Sequence, residues 1–313
     1  MKEELKKELK KLCFESKENK TNYYSLKDIK VSLIDYTINP YKSMFNMSLM
    51  TWGNIAEKWS LASPQLRFEV VKKVLEKKAL PLALEAPYFV FLIENVSRAS
   101  FDQIARARIG VVFAAKGYKD NFLNSLGFCF PNCIDNKWEL AQLVSEVVEK
   151  CKEVYCELQK YVPNWAARCV IPHYSQYSYM LGITYKALQE LCSKRMQTTE
   201  MEDTVATAWL LRERVKEKFP LLAEYLRPMC DILKKDTTLM VNGFYEELGI
   251  PHISDNRQPG FENYTGEVLF KEPCTNIKII EKELKIKIPK PNEWKDFTWE
   301  TLEKQDKILF ETQ

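Results

Sequence analysis

The chain has 313 residues, 46% of them apolar, enough for one large domain or two smaller ones around a sizeable core. Lys and Arg total 46 against 43 for Asp and Glu, a near balance that argues against a dedicated nucleic-acid binder, whose basic patch tilts the total. No run of about 18 apolar residues occurs, so no membrane span is expected, and the charged start MKEELKKELKKLCFESKENK lacks the apolar segment of a signal peptide.

Leu5, Leu9 and Leu12 recur at helical spacing, which predicts a mostly solvated helical extension over residues 1–22. DIKVSLIDY (28–36) is β-branched and partly alternating, so it predicts a strand. SPQLRFEVVKKVLEKKAL (63–80) predicts a helix with Ser63 as N-cap and Pro64 in the first turn. YFVFLI (88–93) predicts a buried strand, and a helix is expected to follow through SRASFDQIARARIG. DNKWELAQLVSEVVEKCKEVYCELQKYV (135–162) predicts a long amphipathic helix stopped by Pro163. Further helices are expected from about Tyr177 to Arg195, over about 201–218, and from Pro220 to Leu226. From about residue 236 the chain turns rich in Gly, Pro, Asn and Asp and reads as loop. CTNIKIIEKELKIKIPKP alternates Lys with Ile, the pattern of an exposed strand. The domain reading is therefore 1–22 extension, 23–235 main domain, and 236–313 an appended segment suited to wrapping another subunit.

Nine cysteines, an odd and scattered set, suit reduced thiols in a cytoplasmic protein. Cys129 and Cys133 in CFPNC have no second Cys/His pair at zinc spacing and read as packed thiols. Two histidines, His173 and His252, exclude a His-rich metal centre, and no G-x-S-x-G elbow is present. Glycine is scarce, at 9 residues, with no G-x-G-x-x-G and no Walker loop. A dinucleotide, if bound, is not held by a Rossmann turn.

The most informative stretch is Gln103, Arg106 and Arg108, directly after the apolar strand. Buried guanidinium groups need anionic partners. On a helix Gln103 and Arg106 share a face, while Arg108 lies about 200° round from Arg106. Either the two arginines hold different groups, or the helix ends between them, or Asp102 pairs with Arg106 at i,i+4 and Arg108 is solvated. Arg168 stands before the apolar CVIP, and Arg195 closes the expected helix that follows.

The pattern as a whole resembles the flavin-dependent thymidylate synthases over roughly residues 28–230. That family carries a Gln, then R-H-R with a Ser-x-Asn-Glu-x-Ser-x-Arg tail, then A-R-x-x-L-P, an Arg closing the next helix, and A-Q-W-E-I. Here QIARAR supplies the Gln and both outer arginines, AARCVIP matches A-R-x-x-L-P, and CSKR matches the helix-closing Arg. The chain departs from the pattern inside the site. The middle His is Ala107, and the tail's first Ser, Asn and Glu are Val111, Phe113 and Ala114. The second Ser and final Arg are Lys116 and Tyr118, the flavin-contacting Asn is Thr184, and A-Q-W-E-I becomes TEMED or a neighbouring register. Of an upstream H-x-[ST]-P-[LF]-E-H element only Glu85 persists.

The resemblance implies an α+β fold, a central sheet flanked by long helices, in a homo-oligomer, expected to be a tetramer with sites built from several chains. It implies FAD, with methylenetetrahydrofolate and NADPH as co-substrates, and transfer of a one-carbon unit to C5 of a pyrimidine nucleotide, as methylation or hydroxymethylation. The anions would be nucleotide and flavin phosphates, which suit the planar fork of arginine. Arg106 and Arg108 would contact the flavin side, and Gln103, Arg168 and Arg195 the nucleotide. Lys116 or Lys119 would restore a cation lost from the tail. Two other classes stand beside this enzyme: a homologue that has lost the flavin and acts in nucleotide binding or assembly, and an unrelated helical protein with chance R-x-R spacing.

Overall fold

The computed structural model describes residues 5, 21–50, 57–115, 117, 127–197, 200–229, 276–290 and 292–311. The expected extension at 1–22 lies outside these except for Leu5 and its last two residues, and Lys116, Tyr118, Lys119 and the loop 236–275 lie outside them entirely.

Strand β1 (Asn22–Tyr24) runs parallel to β5 (Gly127–Cys129), making a small two-stranded sheet. The main sheet has four strands: β2 (Lys30–Tyr36), β3 (Tyr88–Ser97), β4 (Val111–Ala115) and β6 (Gln176–Thr184). Their order is β2-β3-β6-β4, every neighbouring pair antiparallel. Between β2 and β3 lie helices α1 (Pro40–Leu49) and α2 (Pro64–Leu75). Ser63 caps α2 as its sequence predicts, its side chain accepting from the Leu66 amide at 3.3 Å with Pro64 in the first turn. Next come α3 (Arg98–Ile104), the long α4 (Trp138–Leu158), α5 (Tyr185–Arg195) and α6 (Glu202–Lys216). The expected helix from Pro220 spans Pro220–Ala223.

Alternation along β3 buries Phe89, Phe91 and Ile93, the period of a strand with one face on the core. The phase then slips: pairing with β6 is irregular between Ile93 and Val96, and Asn95 adopts φ 61°. Asparagine tolerates that left-handed geometry better than other non-glycine residues. The bulge re-aims the strand end so that Val96 and Ser97 are both buried. Helix α6 packs across β2 and β3 and buries Val205, Ala208, Trp209 and Leu211 against them. The opposite sheet face leaves Tyr88, Val112 and Met180 exposed.

Two expected elements change type. Residues 176–184 form a strand, not the first half of a helix running to Arg195. Tyr177, Tyr179, Leu181 and Ile183 are all buried, a period of two, and both edges pair, with β3 and β4. The helix begins only at Tyr185, with Thr184 as N-cap. Conversely, IKIIEKEL is helix α7 (Ile277–Leu284), not a strand. Its Asn276 cap accepts from the Lys278 amide, and Ile280 is buried. The last helix is α8 (Lys304–Glu311).

Residues 276–290 and 292–311 pack against the main core of their own chain. Phe310 stacks on Tyr41 with ring centroids 4.5 Å apart, and Phe297 and Leu302 are buried in the same cluster. Asp306, fully buried, accepts from the Tyr41 hydroxyl at 2.6 Å and the Leu221 amide at 2.6 Å. Burial pushes its carboxyl up to about 7 despite those two donors. The folded state therefore holds this proton where the unfolded chain, with an ordinary aspartate, has released it. Stability from this group is full below the ordinary aspartate range and is lost as pH rises toward about 7. In thermal melts from pH 4 to pH 8, the wild type should lose stability relative to Asp306→Asn as pH rises. A constant offset between the two proteins would refute this.

Candidate functional site

Helix α3 is anchored at its start. The Ser97 side chain accepts from the Ser100 amide at 3.0 Å and donates to Asp203, the second residue of α6. The helix ends at Ile104, ahead of both arginines, so Arg106 and Arg108 sit on the loop that leads to β4. Both are exposed in the single chain, not buried as the preceding apolar run suggests. Asp102 does not pair with Arg106. It meets Arg98 at 3.0 Å and His173 at 3.1 Å.

Gly110 fixes where the loop runs. Its φ is +70°, its carbonyl accepts from the Thr184 amide at 2.8 Å, and a Cβ there would lie 2.5 Å from the Thr184 hydroxyl oxygen. The loop is thereby laid along α5. Between them lies a cavity of about 280 Å³ whose polar lining is Arg106, Arg108, Glu190, Lys194 and Arg195. Ala187 and Leu191 form part of its apolar floor. Three of the four arginines singled out in the sequence thus share one cavity within one chain, although α5 lies far along the sequence from the loop. Arg195 is mostly buried and bonds Glu200 at 2.7 Å. Among the described residues, Arg106, Arg108 and Lys194 make no ion pair. Three cations without an ion-pair partner among the described residues, facing one carboxylate, give a positive cavity suited to an anion with several oxygens, such as phosphate.

The remaining candidates lie elsewhere. Gln103 is half-buried on α3 and does not line the cavity, and Arg168 is exposed after the short helix Asn164–Ala167. Sequence reasoning missed Lys194 and Glu190. The signal was present: they are four apart on α5, hence on one face with Arg195 at its end.

The departures from the flavin-dependent pattern have structural outcomes. Phe113 packs edge-on against Phe101 at 5.7 Å and lies 6.1 Å from Tyr179, so it joins the core and not the cavity wall. Ala114 and Ala115 are exposed on β4, an edge strand. Thr184 caps α5, and Glu85 bonds Lys186 at 2.6 Å.

Gly110→Ala tests the loop anchor. A side chain meets both an unfavourable left-handed backbone and the Thr184 hydroxyl, so the loop must shift. The expected result is a stability loss of about 1–2 kcal/mol and a clear loss of anion affinity, read by melting and by titration with a nucleotide. Unchanged affinity would show that the loop position does not matter.

The sequence model described as thymidylate synthase complementing protein matches residues 32–221. No curated protein matches the chain. Among solved structures, the chain is similar to a UMP/dUMP methylase, PolB, from Streptomyces cacaoi, bound with 5-Br dUMP. The TM-score is 0.54 at 13% identity, over 65% of this chain and 96% of that one. At that identity the likeness speaks for the fold, an α+β sheet flanked by helices. No helix among the described residues is long and apolar enough to cross a membrane. The family match spans more than half of the chain, from β2 through the sheet, both walls of the arginine cavity and α6, and on this ground the chain belongs to the thymidylate synthase complementing protein family.

Proposed function

We propose that this protein transfers a one-carbon unit to C5 of a pyrimidine nucleotide, with FAD as cofactor and methylenetetrahydrofolate and NADPH as co-substrates. The observation that carries the reading is the convergence of Arg106, Arg108, Lys194 and Arg195 on one cavity. A cavity with this many cations fits the oxygens of a nucleotide phosphate and of the flavin diphosphate. Arg106 and Arg108 would hold the flavin side, while Arg195, with Lys194, would hold the nucleotide phosphate. Lys194 supplies a point charge in the same cavity as Arg106, Arg108 and Arg195. Gln103 and Arg168 enter the site only if a second subunit brings them. A homo-oligomer, proposed to be a tetramer in the cytoplasm, is supported by apolar surface left uncovered in the single chain: Val112 and Met180 on the sheet, Leu143 and Val147 on α4. The flavin, when bound, supplies the hydride carrier; the chain's own groups bind, orient and exclude water.

A second reading is favoured by one observation. Ala107, Phe113 and Ala114 replace polar motif residues, and Phe113 is packed into the core. That is the composition of a homologue that binds nucleotides or assembles without turning over. One experiment separates the two. The purified protein should be yellow, with flavin absorption, and should convert a pyrimidine nucleotide to a C5-modified product seen by mass spectrometry. With dUMP itself, turnover to dTMP is expected to be slow or absent, because the altered tail removes phosphate contacts. A colourless protein that binds nucleotides without product supports the second reading, and robust dTMP formation contradicts the expected substrate shift.

A further inference from the structure

A second cavity, of about 300 Å³, lies apart from the arginines. It opens between the turn before β2, the bulge of β3, the end of β5 and the start of α6. Its apolar wall includes Leu26, Ile29, Phe130 and Met201, and its acidic floor is Glu202 and Asp203. Ser25, Leu26 and Ile29 of this lining precede residues 32–221, the span matched by the family.

The acids are the unusual part. Asp203 is buried and accepts from the Ser97 amide at 3.2 Å and from its hydroxyl. Glu202 accepts from the Asn132 amide at 2.8 Å. Among the described residues lining the cavity, none is Lys, Arg or His. Burial holds both carboxyls above the ordinary carboxylate range, and the charge of Asp203 adds to the effect on Glu202. Cys129, on the same wall, is pushed up by burial and then by the charges of Asp203 and Asp28. The cavity thus presents two carboxyl groups with no cation among its described lining residues to meet them. One ring on its wall is also held in place: Phe130 stacks on Tyr23 at 5.2 Å and meets Phe128 edge-on at 5.3 Å. A fixed aromatic face beside a carboxylate pair suits an organic cation, which gains from both. The volume sits at the lower end of small-molecule sites, about 300–1,000 Å³.

We propose that this cavity is a binding site for a small organic cation, a protonated amine or amidine carried on an apolar body. The cationic end sits on Glu202 and Asp203, and the body lies against Leu26, Ile29 and Phe130. The proposal is independent of the reading of the arginine cavity.

The test is calorimetric titration of the full chain at pH 8 with phenethylamine and benzamidine. Their neutral counterparts, 2-phenylethanol and benzamide, serve as controls. The amine and amidine should bind, and each neutral compound should bind at least about tenfold more weakly. Glu202→Gln keeps the shape and an oxygen for the Asn132 amide, and should shrink that difference, since only Asp203 then remains to meet the cation. Met201→Trp, at a half-buried position, should fill the space and abolish binding, with melting curves confirming that both variants fold. Equal binding of charged and neutral partners would overturn the proposal. So would unchanged amine binding by both variants, or no binding of either cation at about 1 mM.

Discussion

Replacing Arg195 with alanine is expected to abolish nucleotide binding. Its guanidinium is mostly buried, with 14% of the side chain exposed, and is held by Glu200 at 2.7 Å. That bond fixes the fork at the cavity edge before any ligand arrives, so little ordering remains to be done on binding. Removing it has two effects on an anion. A donor is lost, which for a charge-assisted hydrogen bond is on the order of 1.5–3 kcal/mol, or roughly ten- to a hundred-fold in affinity for each bond. The Glu200 carboxylate, 21% exposed, also loses its Arg195 contact, and its charge then opposes the phosphate. Lys194→Met removes only a solvated point charge and should weaken binding less. Calorimetry against a panel of pyrimidine monophosphates reads both. Undiminished binding by Arg195→Ala would remove that residue from the site, and a larger loss in Lys194→Met would transfer the main role to the lysine.

The second large effect is on stability. Arg212 of α6 is fully buried and meets Glu213 at 2.6 Å and Glu224 at 3.3 Å. It also lies over the rings of Trp209, at 5.8 Å, and Trp294, at 5.0 Å. Glu224 in turn accepts from the Lys295 amide at 3.1 Å, so one buried cation joins α6 to the C-terminal segment through both charge and rings. Arg212→Met leaves the mostly buried Glu224 carboxylate without its cation, and leaves Glu213 with only the half-exposed Lys216 at 3.3 Å. Breaking a buried pair from one side costs about 3–5 kcal/mol. The variant should unfold at markedly lower urea concentration, and limited proteolysis should cut near residues 276–311 earlier than in wild type. A loss below about 1 kcal/mol, the scale of an exposed pair, would show that the pair does not hold the segment in place.

How much of this was legible follows from where each signal resides. Ser63-Pro64 names its helix start by local chemistry, and the structure has that cap. YFVFLI reads as a strand because its β-branched and aromatic residues suit a pleated surface. Tyr177–Thr184 defeated the reading because Met180, Leu181 and Gly182 blur the alternation, and burial of Tyr177 and Tyr179 depends on two partner strands that no local window contains. IKIIEKEL went wrong in the opposite sense: the Lys/Ile alternation around it looked like an exposed strand, but Asn276 caps a helix there. At the site, the outer arginines were visible because their spacing is fixed by the family pattern. Their convergence with Lys194 was not, because it depends on Gly110 laying the loop along α5. The exposure of Arg106 and Arg108 was misjudged for the same reason: an apolar strand before a residue says nothing of a helix end between them.

The order of the main sheet bears on how this chain is made. Phe91 of β3 pairs with Leu33 on one side and Leu181 on the other, and Leu181 pairs in turn with Phe113. No two neighbouring strands are joined by a tight turn, so the sheet cannot zip up from hairpins and must close long loops first, which is slow. During synthesis, β3 and β4 leave the ribosome well before β6, the strand that lies between them. In that interval a run such as YFVFLI presents an open edge and an apolar face, the features that recruit other chains. Nascent chains halted before residue 176 should therefore bind holdase chaperones, and chains extended past α6 should release them.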